Sequence, residues 1–203
     1  VIKYFANPMS NDACRKAMLD GVIGWIDTPV QGNKRPPGIL WCADNGCYGK
    51  GYVEAKWWRF LENNVNDLET CAFATAPDKV GDAKTTLKMS LPWLPKMRNL
   101  GYPAAFVAQD GQNKLPVPWD DFDALFIGGT NDWKLGPHIP PLVAEARERG
   151  KYVHMGRVNS YKRLKLAHDM GCHSADGTYL KFGPQENLVK VLRWLQKLEE
   201  VSA

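Results

Sequence analysis

Six places in the chain share one pattern: a short apolar run gives way to a residue that can hold a proton, donate a hydrogen bond or leave the backbone bare. ILWCA (39–43) leads to Asp44, CAFATAP (71–77) to Asp78, and AAFVA (104–108) to Gln109 and Asp110. ALFI (124–127) leads to Gly128 and Gly129, YVHM (152–155) to Gly156 and Arg157, and HSA (173–175) to Asp176. Strands commonly stop on Asp, Asn or Gly for reasons of turn chemistry, and each position taken alone reads that way, the Asp176-Gly177 pair included. Gathered at one place, however, Asp44, Asp78 and Asp176 supply three carboxylates, and the other positions add a carboxamide, a bare Gly-Gly and a guanidinium. Two carboxylates flanking a glycosidic carbon serve as nucleophile and as general acid/base, as in retaining glycosidases. A third can accept the N1–H and exocyclic amine of a guanine-like base. The carboxamide and the N–H groups beside Gly128-Gly129 would satisfy that base's carbonyl oxygen, with glycine leaving room for a flat ring. The set suits a purine attached to, or leaving, a sugar.

Gathering them requires a particular scaffold. Eight β-rich apolar runs recur, at 2–6, 22–26, 39–43, 71–75, 104–108, 124–128, 152–156 and, more weakly, 173–176. None alternates cleanly with polar residues, the pattern of strands buried on both faces. Helical stretches separate most of them. SNDACRKAMLDG opens on a Ser10/Asn11 cap and closes on Gly21, and 52–65 puts Trp57, Phe60, Leu61 and Val65 near one face. A stretch over 81–101 starts on Asp82 and is interrupted by Pro92 and Pro95. Helices over 140–150, 160–171 and 184–200 follow, the last with Leu188, Val191, Leu192, Leu195 and Leu198 at helical spacing. Segments 27–38 and 109–123 read as loops or short helices. Eight buried strands alternating with helices predict an α/β protein, a compact (β/α)8 TIM barrel, with an open doubly wound sheet as the rival. In the barrel every polar strand end falls on the same C-terminal rim.

With 203 residues the chain can bury one good core, so a single domain over 1–203 is expected. No run is long and apolar enough to span a bilayer, and VIKYFANPMS has no signal-peptide pattern. Five cysteines without a C-x-x-C pair read as reduced thiols of a cytoplasmic protein, and the net charge of +4 permits a polyanionic partner without demanding one. Most of the eight tryptophans read as core or helix-packing residues.

ADNGCYG, APDKVGD, VAQDG, LFIGGTNDWK, HMGRVNS and GCHSADGT, taken together and in this order, resemble the tRNA-guanine transglycosylase superfamily. The likeness is greatest to its compact phage and bacterial 7-deazaguanine DNA transglycosylase branch, and runs from YFANP to FGPQENL. It implies a TIM barrel that exchanges a guanine already in a polynucleotide for a 7-deazaguanine, such as 7-cyano-7-deazaguanine, through a covalent enzyme–sugar intermediate. Asp176 of SADGT then matches the nucleophile, and Asp44 of ADNGCY the acid/base aspartate of the family's DSGGF motif. Asp78 falls, more loosely, near the aspartate that reads the base. Gln109 matches the glutamine of the family's VQGG motif, and Gly128-Gly129 the glycines whose backbone meets the base carbonyl.

The chain departs from the tRNA enzymes in two ways. No cysteine or histidine follows Asp176, so the structural zinc of those enzymes is not expected, and the missing tRNA-binding additions favour DNA. His173 stands where relatives carry an acidic residue, either as a neighbour that tunes Asp176 or as a neutral replacement. No cofactor beyond the incoming base is implied. A target base must be flipped from its stack. Lys34 and Arg35 in the basic loop VQGNKRPPG, with Lys50, Lys134 and Arg157, are candidates to hold phosphates. Trp41, Tyr48 or Trp133 could cover the base or wedge into the stack. A partner protein that opens the duplex is possible, a membrane partner is not expected, and the compartment would be the host cytoplasm if the chain is phage-encoded. Alternatives are the same chemistry on tRNA, a base-releasing glycosidase, a sugar-phosphate isomerase or lyase, and a non-catalytic nucleobase-binding module.

Overall fold

The computed structural model describes residues 2–7, 11–49 and 52–202; Ser10 and Lys50 lie outside them. Eight strands, β1 (Lys3–Ala6), β2 (Gly24–Asp27), β3 (Trp41–Ala43), β4 (Cys71–Thr75), β5 (Ala104–Ala108), β6 (Ala124–Ile127), β7 (Tyr152–Met155) and β8 (Ser174–Gly177), pair in sequence order, all parallel, and β1 closes on β8. The fold is a (β/α)8 TIM barrel. The open doubly wound alternative is excluded by the β1–β8 register, which pairs Phe5 with Asp176.

The helices follow local rules. α1 (Asp12–Leu19) is capped by Asn11, whose side chain accepts from the Cys14 N–H, and Gly21 with φ 71° turns the chain back. α2 (Glu54–Asn63) buries Trp57 and Leu61. The stretch predicted over 81–101 is two helices, α3 (Ala83–Ser90) under an Asp82 cap and α4 (Leu94–Asn99). Pro95 lies in the first turn of α4, where a missing N–H costs nothing. α5 (Asn131–Lys134) is a short helix the sequence did not announce, and α6 (Ile139–Glu148) and α7 (Tyr161–Asp169) pack on the outer wall. α8 (Pro184–Ser202) buries Leu188, Val191, Leu195 and Leu198, while Leu192 is partly buried. Among the described residues no helix is long and apolar enough to cross a membrane.

Strand pleat decides what enters the barrel, because successive side chains alternate faces. Phe5, Ile26, Cys42, Phe73, Ala105 and Ala124 form the interior cluster, with Phe126 and Tyr152 packed on it. The same parity continues upward to Thr28, Asp44, Thr75, Gln109, Gly128 and Asp176, all of which line one cavity above that cluster. The opposite parity, including Tyr4, Trp41, Leu125, Val153 and Ala175, packs against the helices.

Candidate active site

The cavity at the C-terminal mouth has a volume of about 380 Å³, within the range of small-molecule sites. Ile26, Val107 and Phe126 give it an apolar floor, and Asp44, Asp78 and Asp176 bring their carboxyl groups to it from different strands. Asp44 is set by an Asp-Asn-Gly turn. Its Oδ1 accepts from the Gly46 N–H at 2.6 Å, Asn45 Oδ1 accepts from the Cys47 N–H at 2.8 Å, and Gly46 takes φ 76°, which glycine adopts without strain. Burial, and then the negative charges of Asp176 and Asp78, push the Asp44 carboxyl up to about 7 against one opposing hydrogen bond from Gly46. At neutral pH it is therefore divided between its two protonation states.

Asp176 ends β8 with 14% of its side chain exposed. Its Oδ1 accepts from the Arg157 N–H at 3.0 Å, and its Oδ2 lies 2.9 Å from His154 Nε2. One further lone pair on each oxygen is left for a ligand. The Asp-Gly pair here is no turn. Gly177 lies in the strand with an ordinary φ, and a Cβ on it would sit 2.3 Å from Tyr4 Oη and 2.4 Å from Val158 O. Glycine is needed because the Tyr4 side chain of β1 and the loop after β7 close on it. Arg157 has φ 58°, the one left-handed non-glycine among the described residues, at a cost of about 1–3 kcal/mol. That conformation aims its N–H at Asp176. Its guanidinium donates to Gly129 O and lies 4.7 Å from the ring centre of the exposed Tyr48 at the mouth.

The other side of the mouth is a closed hydrogen-bond network. Asp78 accepts from Asn45 Nδ2 at 2.9 Å and from Gln109 Nε2 at 2.7 Å. Gln109 Oε1 in turn accepts from the Gly81 and Gly129 N–H groups at 2.9 and 2.8 Å. Burial raises the Asp78 carboxyl from its ordinary value, offset by the donors Asn45, Gln109 and Cys47. The Gly128 N–H is taken by Ala108 O at 3.0 Å. This corrects the expectation for Gly128 and Gly129: both N–H groups are spent inside the protein, so neither is free for a ring carbonyl. The glycines are required by packing, since a Cβ on Gly128 would lie 2.9 Å from Gln109 Nε2 and one on Gly129 2.5 Å from the Trp133 ring. Asp110 is also engaged, accepting from the Thr130 N–H and hydroxyl.

Two expected phosphate ligands are internal. Arg35 keeps only 3% of its side chain exposed, is ion-paired to Asp27 at 3.3 Å and Asp67 at 3.1 Å, and lies 3.8 Å over the Trp41 ring. Trp41 is itself fully buried, which removes it as a wedge. Lys134 is fully buried and donates to Gly156 O at 2.5 Å, bracing the loop that carries Arg157. Burial, and then the Arg157 charge, bring its ammonium down to about 8. Neither cation can leave its partners cheaply, because a buried charge without a partner costs several kcal/mol. Lys34 is exposed on the loop after β2. Lys50 lies outside the described residues.

His173 does not meet Asp176. It precedes β8, at the end of the strand away from the cavity, stacked on Tyr152 at 4.8 Å between ring centres, accepting from the Val153 N–H and contacting Arg147. The histidine that does is His154, 1% exposed, on the inward face of β7. Sequence reasoning missed it, although pleat parity could have found it: with Asp176 inward, Ser174 is inward and His173 is not.

Comparison with known proteins supports the fold and stops there. No family model matches the chain, and no curated protein matches it by sequence. A solved structure of native KDPGal superposes with a TM-score of 0.59 over 98% of this chain and 93% of that one, at 11% identity. The fold is shared. The Bacillus subtilis YkuI protein, which has an EAL domain and was solved with c-di-GMP and calcium, gives a TM-score of 0.42 at 14% identity, over 93% of this chain and 48% of that one. A putative glycerophosphoryl diester phosphodiesterase from Silicibacter pomeroyi gives 0.39 at 11% identity, over 89% and 55%. Among the described residues no group of three or more His, Cys, Asp or Glu side chains is arranged to hold a metal ion.

Proposed function

We propose that this chain is an enzyme, a base-exchange transglycosylase that replaces guanine in DNA with a 7-deazaguanine by double displacement at C1′. The observation that carries the reading is that Asp44 and Asp176 reach one cavity from β3 and β8, Asp44 holding its proton to about pH 7 and Asp176 held by two donors. An acid poised near the working pH beside an oriented carboxylate is the pairing double displacement needs. The motif resemblance supplies the substrate class.

In the first half-reaction an Asp176 oxygen forms a bond to C1′ and the bond from C1′ to the guanine ring nitrogen breaks. Its electron pair stays on the nitrogen, which receives the Asp44 proton. In the second, the incoming 7-deazaguanine gives its ring N–H proton to Asp44, its nitrogen bonds to C1′, and the ester electron pair returns to Asp176. Asp78, which already accepts from Asn45, Gln109 and Cys47, keeps one lone pair for the N1–H or amine edge of the base. Gln109 acts by fixing Asp78, and Gly129 by fixing Gln109. Among the cations named from sequence that lie within the described residues, Lys34 and Arg157 are the two that remain as phosphate contacts. DNA is thus the macromolecular partner, and a flipped base the form in which it binds.

The test is incubation with guanine-containing duplex or single-stranded DNA and 7-cyano-7-deazaguanine, followed by nucleoside mass analysis. The modified deoxynucleoside is expected from the native protein and not from Asp176→Ala. Product from Asp176→Ala would end the double-displacement mechanism. Exchange on tRNA but not on DNA would reassign the substrate, and guanine release without incorporation would make the protein a glycosidase.

A further inference from the structure

The geometry points to His154 as a positioning residue for Asp176, with Ser174 fixing the imidazole in the tautomer that donates from Nε2; the inference rests on the reading of Asp176 as nucleophile. His154 projects into the barrel from β7, directly beside Ser174 in the strand register. It lies among Phe5, Phe73 and Phe126, at 6.0, 4.9 and 4.6 Å between ring centres. No water-filled space is needed to satisfy it. Nε2 is 2.9 Å from Asp176 Oδ2, and Nδ1 is 2.7 Å from Ser174 Oγ.

For a neutral imidazole the chain has one self-consistent direction. A carboxylate only accepts, so Nε2 must carry the hydrogen. Nδ1 of the neutral ring then accepts from the Ser174 hydroxyl. The opposite tautomer would set a ring lone pair against a carboxylate oxygen inside an apolar cage. A second histidine nitrogen bonded to a hydroxyl is the usual way a tautomer is held.

The donor has unequal effects on the two half-reactions. Hydrogen bonds to a carboxylate are strongest when it bears full charge. Asp176 gives up that charge as the sugar ester forms and regains it as the ester breaks. Removing the donor therefore slows breakdown of the ester more than its formation, and the covalent DNA adduct accumulates.

The experiment compares native protein with His154→Phe, which suits the aromatic cage without donating, and His154→Gln, whose amide can still donate from the position of Nε2. Adduct is read on a denaturing gel and product by nucleoside mass, with thermal unfolding checked for each variant. The expected result is product release about ten- to a hundredfold slower in His154→Phe, with adduct building up and most of the loss recovered in His154→Gln. Native-like partition between adduct and product in His154→Phe overturns the proposal, as does a His154→Gln variant no better than the Phe variant. Imidazole ¹⁵N shifts of the native protein give a readout free of turnover, with only four histidines to assign: an Nε2–H ring sustains the proposal and an Nδ1–H ring overturns it. If the native protein forms neither adduct nor product on guanine DNA, it is the transglycosylase reading that fails, and the NMR result alone decides His154. The same NMR result decides it if neither variant folds.

Discussion

The two sides of the barrel mouth carry the same kinds of side chain in opposite condition. On the β4–β6 side, Asp78, Gln109 and Gly129 are tied in a chain, every link between 2.7 and 2.9 Å, and Asn45 holds the other oxygen of Asp78. On the β3 and β8 side, Asp44 has a single hydrogen bond to its carboxylate from Gly46, and Asp176 is oriented by two donors yet faces the cavity. A saturated network rigidifies a pocket wall, because a buried polar group is expensive only when left unpaired. An unsaturated carboxylate beside another negative charge is strained toward taking a proton or an electrophile. On the proposed reading the chemistry belongs to the second side and the shape to the first.

Substitutions can break or sharpen this contrast. The largest effect is expected at Asp176: replacement by Ala should lower the exchange rate about 10³-fold or more while the fold survives, measured by base incorporation. Asp44→Asn should cost about 10²- to 10⁴-fold in the same assay. The native kcat/KM for DNA should fall above pH of about 7, where Asp44 loses the proton it must donate, and the variant should lack that limb. Stability should move the other way. The Asp44 value is raised from 3.8 to about 7, so the folded state binds more protons than the unfolded chain between those values, and ionisation costs stability as pH rises through that window. Asp44→Asn, which keeps the Oδ1 acceptor for Gly46, should be more stable than the native protein at pH 8 by about 4 kcal/mol, with little gain at pH 4.

On the other side the order reverses, with stability as the readout. Gln109→Ala leaves the Gly81 and Gly129 N–H groups and one Asp78 oxygen without partners, and should cost about 3 kcal/mol in denaturant unfolding. Arg35→Ala should cost about 3 kcal/mol too, by stranding Asp27, whereas Lys34→Ala should leave stability unchanged. The smallest effect is on binding: Lys34→Ala should reduce the salt slope of DNA affinity by about one, a change Arg35→Ala does not share. Equal salt slopes for the two variants would erase the distinction between surface and interior cations.

Much of this was legible along the chain. Pro95 and the Asp82 cap mark α3 and α4, the helical spacing of Leu188 to Leu198 marks α8, and the apolar runs mark all eight strands, because capping and periodicity act within a few residues. Asp44, Asp78, Gln109 and Asp176 could be placed at strand ends for the same reason. Partners could not be read. Arg35 and Lys34 are neighbours in one basic loop, but Asp27, Asn64 and Asp67 draw Arg35 inward and leave Lys34 in solvent. Lys134 sits in a polar-looking LFIGGTNDWK segment, and only the carbonyls of Gly156 and Arg157 show that its charge is structural. Along the chain His173, three residues from Asp176, is the nearer candidate, yet the closed barrel brings His154, twenty-two residues away, onto Asp176 and leaves His173 at the other end of the strand. The sequence by itself determined which segments become strands and helices and which polar residues stand at their ends, since those depend on local torsions and on pleat. Only the tertiary structure decided which hydrogen-bonding valences are already filled, since each partner comes from another strand around the barrel, and it is the unfilled ones that are left to bind and react.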